Sequence, residues 1–256
     1  KLITPKTELW AVVKSNAYGH GLVLYAQLAE QPPGGGGVDG FCVDSVAEGV
    51  KLRQNGIKKP ILVLGPTLPE LYPMAANANI TITISSFPYL KKLAEAKNKP
   101  QFHLKIDTGM RRQGFYPEEI PKTVKLIGDS LTGVYTHFAS AKDINYPSFT
   151  DLQLEQLKKA VAILEKGGFK NLKKHAAATA GALIGDKYHL DMARIGIGLY
   201  GLWPSKELET QLGNQIKLKP VLRWHALISE IKKIKKGDYI GYDLTERMSR
   251  NGAMAI

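Results

Sequence analysis

A lysine stands where a buried strand should end. Trp10-Ala11-Val12-Val13 is a short apolar run of strand character, and Lys14 follows it directly. A polar turn closing in Gly19 and Gly21 comes next, then an apolar-periodic segment. An ammonium in such a place must be paired, shifted towards the neutral amine, or used chemically. The neutral amine is the form that bonds an aldehyde carbon as a Schiff base. The plainer alternative is a side chain that snorkels to the rim and stays solvated. Other chemistry-bearing side chains recur in similar settings. Tyr18 lies in the turn after Lys14, and Lys105 lies in the run Leu104-Lys105-Ile106-Asp107-Thr108-Gly109-Met110, with Arg112 just beyond. His137 falls towards the end of an apolar run over 134–139. Thr179 closes the run containing His175, and Arg194 opens Arg194-Ile195-Gly196-Ile197-Gly198.

The elements that must position these groups alternate. Strands are expected at 10–14, 38–45, 60–65, 79–85, 101–108, 131–139, 172–179 and 193–201. Helices are expected near 21–31, 46–55, 68–77, 87–97, 117–128, 150–168 and 180–185, with a weaker one near 205–211. In the longest, Leu152, Leu154, Leu157, Val161 and Leu164 supply the apolar spacing. Eight strand–helix units of α/β class predict a (β/α)8 barrel of the TIM type. A doubly wound sheet is disfavoured, since no Gly-x-Gly-x-x-Gly turn follows the first strand. In a barrel the functional groups belong at the C-terminal strand ends, and the candidates above fall there. Pro32-Pro33 followed by Gly34–Gly37 marks a breaker-rich loop. After Pro220 the pattern changes to an extended run over 221–234, then a turn and another strand around Gly237–Tyr242. The barrel is therefore assigned to 1–215, and 216–256 reads as the start of a β-rich second domain.

Composition excludes several classes. The chain has 256 residues with 35 Lys+Arg against 23 Asp+Glu, a formal charge of +12. The lysines are scattered in pairs along helical stretches, and no nucleic-acid-binding signature is present, so a solvated basic face accounts for the charge. The single cysteine, Cys42, excludes an internal disulfide and favours a reducing compartment. No apolar run approaches the ~20 residues of a membrane span, and no signal-peptide pattern opens the sequence. A cytoplasmic protein with no metal site is the expectation.

The eleven-residue run AVVKSNAYGHG resembles the alanine racemase signature A-V-V-K-A-N-A-Y-G-H-G, departing only at Ser15. KIDTGMRRQGF is similar to K-x-D-T-G-M-G-R-L-G, with Arg111 for glycine and Gln113 for leucine. THFASAKD resembles T-H-F-A-x-A-D with Lys142 inserted before Asp143. HAAATA departs from H-x-x-N-S-A at Ala178 and Thr179, and DMARIGIGLYG has Ile195 where the family has proline. The resemblance covers about residues 8–250 and implies an N-terminal barrel followed by a largely β domain. By the same comparison a leading strand–helix segment and most of the C-terminal domain are expected outside the sequence.

The resemblance implies pyridoxal 5'-phosphate (PLP) as cofactor, carried by Lys14. It implies that Arg112 meets the substrate carboxylate and the cofactor's phenolic oxygen, where a planar guanidinium suits both acceptors. Lys105 is the candidate for carbamylation, which would make it an anion that positions Arg112; a strand lysine paired with an acid is the alternative. His137 is expected to hydrogen-bond Arg194, and Arg194 to donate to the pyridine nitrogen. A donor-only guanidinium leaves that nitrogen unprotonated, which weakens the ring as an electron sink and suits simple proton exchange. Tyr18, Thr179, Gly196 and Ile197 match the phosphate-binding positions, and threonine retains the serine hydroxyl. Tyr242 matches the second base, which reaches the partner's site in a homodimer. Racemisation needs two such groups on opposite faces of Cα. The function implied is interconversion of L- and D-alanine for peptidoglycan. The alternatives are a non-catalytic PLP-binding barrel and a racemase of broader substrate range.

Overall fold

The computed structural model describes residues 3–33, 35–142 and 144–256; Gly34 of the breaker-rich loop and Asp143 of the His137 motif lie outside them. The chain folds as two units, the first ending at Val221 and the second spanning Leu222–Ile256.

The first unit contains an eight-stranded parallel sheet: β1 Glu8–Val12, β2 Gly40–Val43, β3 Ile61–Val63, β4 Ile82–Ile84, β5 Phe102–Lys105, β6 Leu131–Tyr135, β7 Lys173–His175 and β8 Met192–Ile195. Their order is β3-β2-β1-β8-β7-β6-β5-β4. A parallel bridge between Leu62 and Thr81 joins the two ends and closes the barrel. All eight expected strands form; β1 starts two residues earlier than expected, and the other seven are shorter than their apolar runs. Helices lie between them, among them Leu22–Glu30, Val46–Gln54, Phe87–Glu95 and Thr179–Ile184, and Lys206–Leu212 follows β8. Ser45 and Ser205 cap two of these, their side chains accepting from the N–H groups of Glu48 and Leu208. In the longest helix, Ser148–Lys166, the buried stripe is Leu154, Leu157, Val161 and Leu164, while Leu152 is exposed.

Strand alternation splits the core in two. Residues such as Ala11, Phe41, Val63, Leu104 and Val134 face the helices in one continuous cluster. On the inner side Trp10, Val12, Cys42, Leu62 and Met192 make a separate apolar cluster. The other inward positions are polar and buried: Thr83, His103, Lys105, His175 and Arg194. At the N-terminal end, Lys173 pairs with Glu8 at 2.6 Å and Glu8 accepts the Trp10 indole N–H at 2.7 Å. These contacts lie at the end of the barrel opposite the mouth where functional groups belong.

In the second unit, β9 Ile231–Ile234 pairs antiparallel with β12 Gly252–Ala255, and β10 Tyr239–Ile240 with β11 Glu246–Arg247. The extended run expected over 221–234 is a strand only at its end. Tyr242 sits in a short 3-10 turn, Tyr242–Leu244, rather than in a strand, and its side chain is exposed. No helix among the described residues is long and apolar enough to cross a membrane.

Candidate active site

Lys14 follows β1 where the ladder still holds, since the Val13 N–H donates to Cys42 O at 2.8 Å. The chain then makes a left-handed turn. Ser15, Asn16, Ala17 and Tyr18 all have φ between 53° and 56°. L-residues pay ~1–2 kcal/mol each for that conformation, so the turn must be held. Asn16 Oδ1 accepts the Leu22 N–H at 2.9 Å, the Asn16 N–H donates to Glu48, and Ala17 is fully buried. The turn leaves the Tyr18 ring against Tyr200, centroids 5.2 Å apart, and Tyr200 stacks in turn on His20.

A cavity of about 500 Å³ opens at this mouth. Lys14, Tyr18, Lys105, Arg112, His137, Thr179, Arg194, Gly196 and Ile197 all line it, together with Asp44, Gln113 and Tyr135. Lys105 closes β5 rather than lying inside a longer strand, and His137 stands two residues beyond β6. Thr179 begins a helix instead of ending a strand, because β7 stops at His175. Its hydroxyl accepts the N–H groups of Gly196 at 3.2 Å and Gly198 at 3.3 Å. A Cβ at Gly196 would stand 2.8 Å from Tyr18 Oη, so the missing side chain is what admits the phenol.

Arg194 is fixed by the barrel interior. Nη2 donates to Thr136 O at 2.9 Å and Ala176 O at 3.0 Å, and Nη1 donates to His175 Nδ1. The expected partner, His137, is not among these. It lines the same cavity, while His175 comes from β7, the neighbour of β8. Since a guanidinium only donates, His175 Nδ1 must accept, its proton sits on Nε2, and it donates to His103 Nδ1 at 2.8 Å. Both rings are therefore neutral. Burial first, and Arg194 as well, hold His175 well below its ordinary range, and burial with Lys173 and Arg194 pushes His103 down to about 3. Tyr135 stacks on His175 at 4.5 Å and donates to or accepts from Thr83 at 3.0 Å. Burial and the cations Arg194, Arg112 and Lys105 likewise push His137 down to about 3.

Lys105 donates to Gln113 Oε1 at 3.0 Å. Burial, with Arg112 and Arg194 nearby, lowers its ammonium to about 8, against the opposing pull of Asp107. Arg111 takes φ 55°, the left-handed conformation that favours the glycine of the motif it resembles. Asp107 Oδ1 holds it there by accepting the N–H groups of Gly109 and Arg111, and the guanidinium lies over the Tyr116 ring.

Sequence reasoning missed His103, His175 and Tyr135 as parts of this site. The available signal was period-two spacing: His103 and Lys105 alternate with apolar neighbours, so both face the barrel interior.

Residues 1–204 match the model of the alanine racemase N-terminal domain. The chain belongs to the alanine racemase family. It is 34% identical to the alanine racemase of Leptospira interrogans serovar copenhageni over 264 aligned positions, covering 100% of this chain and 67% of that one. With the alanine racemase of Carboxydothermus hydrogenoformans it shares 37% identity over 96% of this chain and 66% of the relative. Solved alanine racemases superpose on 99% of it. That of Clostridium difficile 630 gives a TM-score of 0.83 at 34% identity over 67% of its own length. That of Bacillus anthracis, solved with bound L-Ala-P, gives 0.86 at 32% over 66%. The chain thus spans about two thirds of these alanine racemases. The family's enzymes are PLP-dependent.

The cavity fits that cofactor. Lys14, Lys105, Arg112 and Arg194 line it, a cationic set suited to a phosphate and a carboxylate. Tyr18, Thr179, Gly196 and Ile197 gather hydroxyl and backbone N–H groups on one side. Arg194 lies deep in the barrel with three of its five N–H donors committed, which leaves Nε–H and one Nη1–H for a ring acceptor.

Proposed function

We propose that this chain forms the cofactor-bearing half of a PLP-dependent alanine racemase, interconverting L- and D-alanine for peptidoglycan synthesis. The carrying observation is that all nine barrel residues singled out for chemistry in the sequence line one cavity. Tyr18, Thr179, Gly196 and Ile197 would hold the phosphate, and Lys14 would hold the cofactor covalently. Arg194 would donate to the pyridine nitrogen, with His175 and two carbonyls fixing its plane. His137 would pack beside the ring as a neutral group.

When bound, the cofactor supplies the electron-withdrawing system that acidifies the substrate Cα–H. Arg112 would orient the substrate through its carboxylate. The Lys14 amine would hold or return the Cα proton on one face, and Tyr242 of a second copy would serve the other. A homodimer follows from that division of labour.

The test is α-proton exchange. The PLP-loaded chain is incubated in D2O with L-alanine, and separately with L-serine and L-lysine, while NMR follows the Cα–H signal. Exchange with alanine alone, abolished by Lys14→Ala, is expected. Equal exchange with serine or lysine would replace the reading by a broad-range racemase. Bound cofactor without any exchange would leave a PLP-binding module.

A further inference from the structure

One carboxylate stands among the cations of the cavity. Asp44 is the sole acidic residue lining it among the described residues, and no motif resemblance assigns it a part. The ladder of β1 on β2 runs Trp10 to Gly40, Ala11 to Phe41 and Val12 to Cys42. Extended by two residues, that register brings Lys14 level with Asp44. The side chains meet, with Lys14 Nζ 3.7 Å from Asp44 Oδ1.

The pairing is built from the backbone up. The Glu48 carboxylate accepts the Asp44 N–H at 2.8 Å and the Asn16 N–H at 3.3 Å. One side chain thereby ties the end of β2 to the turn that follows Lys14. Opposite, a Cβ at Gly65 would lie 2.3 Å from Asp44 O and 3.3 Å from its carboxyl carbon, so only glycine admits this backbone. The other charged or titratable groups facing the lysine are Tyr18 on its own turn, Lys105, Arg112, His137 and Arg194. None of them is an anion.

We propose that Asp44 is the positioning residue for Lys14: its carboxylate draws the freed side chain to the β2 side of the cavity. This rests on the racemase reading for its purpose. Released among three other cations, that side chain would otherwise be free to swing away from the substrate. Held by Asp44, it stays where it can exchange a proton with Cα. Asp44 touches neither cofactor nor substrate in this role and acts through Lys14.

The experiment reads Lys14 directly. The full chain, freed of cofactor, is treated with limiting acetic anhydride across pH, and Lys14 acylation is measured by peptide mass spectrometry against exposed Lys91. The pair is about half exposed, so its worth is modest. In Asp44→Asn the reactivity curve should move down by about half to one pH unit, giving ~3–10-fold more acylation near neutrality. Asp44→Glu should restore most of the shift. In the parent, ~1 M salt should move the curve towards that of Asp44→Asn, because a half-exposed pair is screened. Superimposable curves for parent and Asp44→Asn overturn the proposal. If the variant fails to fold by circular dichroism, a parent curve indifferent to salt overturns it. A parallel incubation with PLP separates the two readings: failure of Lys14 to take up PLP sinks the racemase assignment and leaves the acylation curves standing.

Discussion

At the scale of single residues, Lys105 has the most to reveal. Carbon dioxide adds only to a neutral amine, and burial beside Arg112 and Arg194 lowers this one to about 8. The Nε2 of Gln113 is buried with no hydrogen-bond partner among the described residues, while its Oε1 accepts a hydrogen bond from the lysine. An anion at Lys105 would engage that idle donor and pair with Arg112. Native mass spectrometry in bicarbonate should therefore show the mass of one added CO2, absent from Lys105→Arg; an unmodified parent would reject carbamylation. Tyr242 offers a cleaner division. If it serves the face of L-alanine and Lys14 the other, Tyr242→Phe should lose Cα exchange with L-alanine while taking up PLP normally. It should still exchange D-alanine through Lys14. Equal loss with both enantiomers would remove Tyr242 from proton transfer.

At the scale of elements, the strands were legible and their inner faces were not. Apolar runs located all eight strands, because burial on both faces of a parallel sheet leaves a near-continuous hydrophobic signal. The same runs overstated strand length. Thr179 was placed at a strand end although β7 stops at His175, since Ala176, Ala177 and Ala178 are compatible with either state. His175 escaped notice as the partner of Arg194 because their meeting depends on which face of β7 turns inward, and Lys173-Lys174-His175 lacks the polar–apolar alternation that would show it. The loop after β5 shows a departure from the family motif that costs less than it promises. Arg111 occupies a left-handed position, held by Asp107 and Tyr116. Arg111→Gly should change stability by less than ~1 kcal/mol, the relieved strain offsetting greater freedom of the unfolded chain. Arg111→Val, β-branched at the same φ, should cost ~1–2 kcal/mol in urea denaturation. Comparable stability of the two variants would mean the loop can adopt another backbone path.

At the scale of the molecule, the barrel is divided between an apolar side and a polar side, and the polar side sets its response to acid. His103 and His137 are pushed down to about 3 and His175 well below its ordinary range, chiefly by burial. A depressed folded-state value means that the unfolded chain binds protons first as pH falls. Stability from these groups is complete above about pH 6.5 and drains away below it, by up to ~1.4 kcal/mol per pH unit for each histidine. The melting temperature should fall steeply between pH 6.5 and 5, with a shallower fall in His103→Leu; a flat parent profile would mean that the interior histidines are already charged. The chain from Arg194 through His175 to His103 has a further consequence. A guanidinium cannot accept, so this column of dipoles has one orientation and cannot turn round. It therefore neither stores a proton nor passes one on. The floor of the barrel is a one-way array of donors, so proton exchange at the open mouth has no relay through that column.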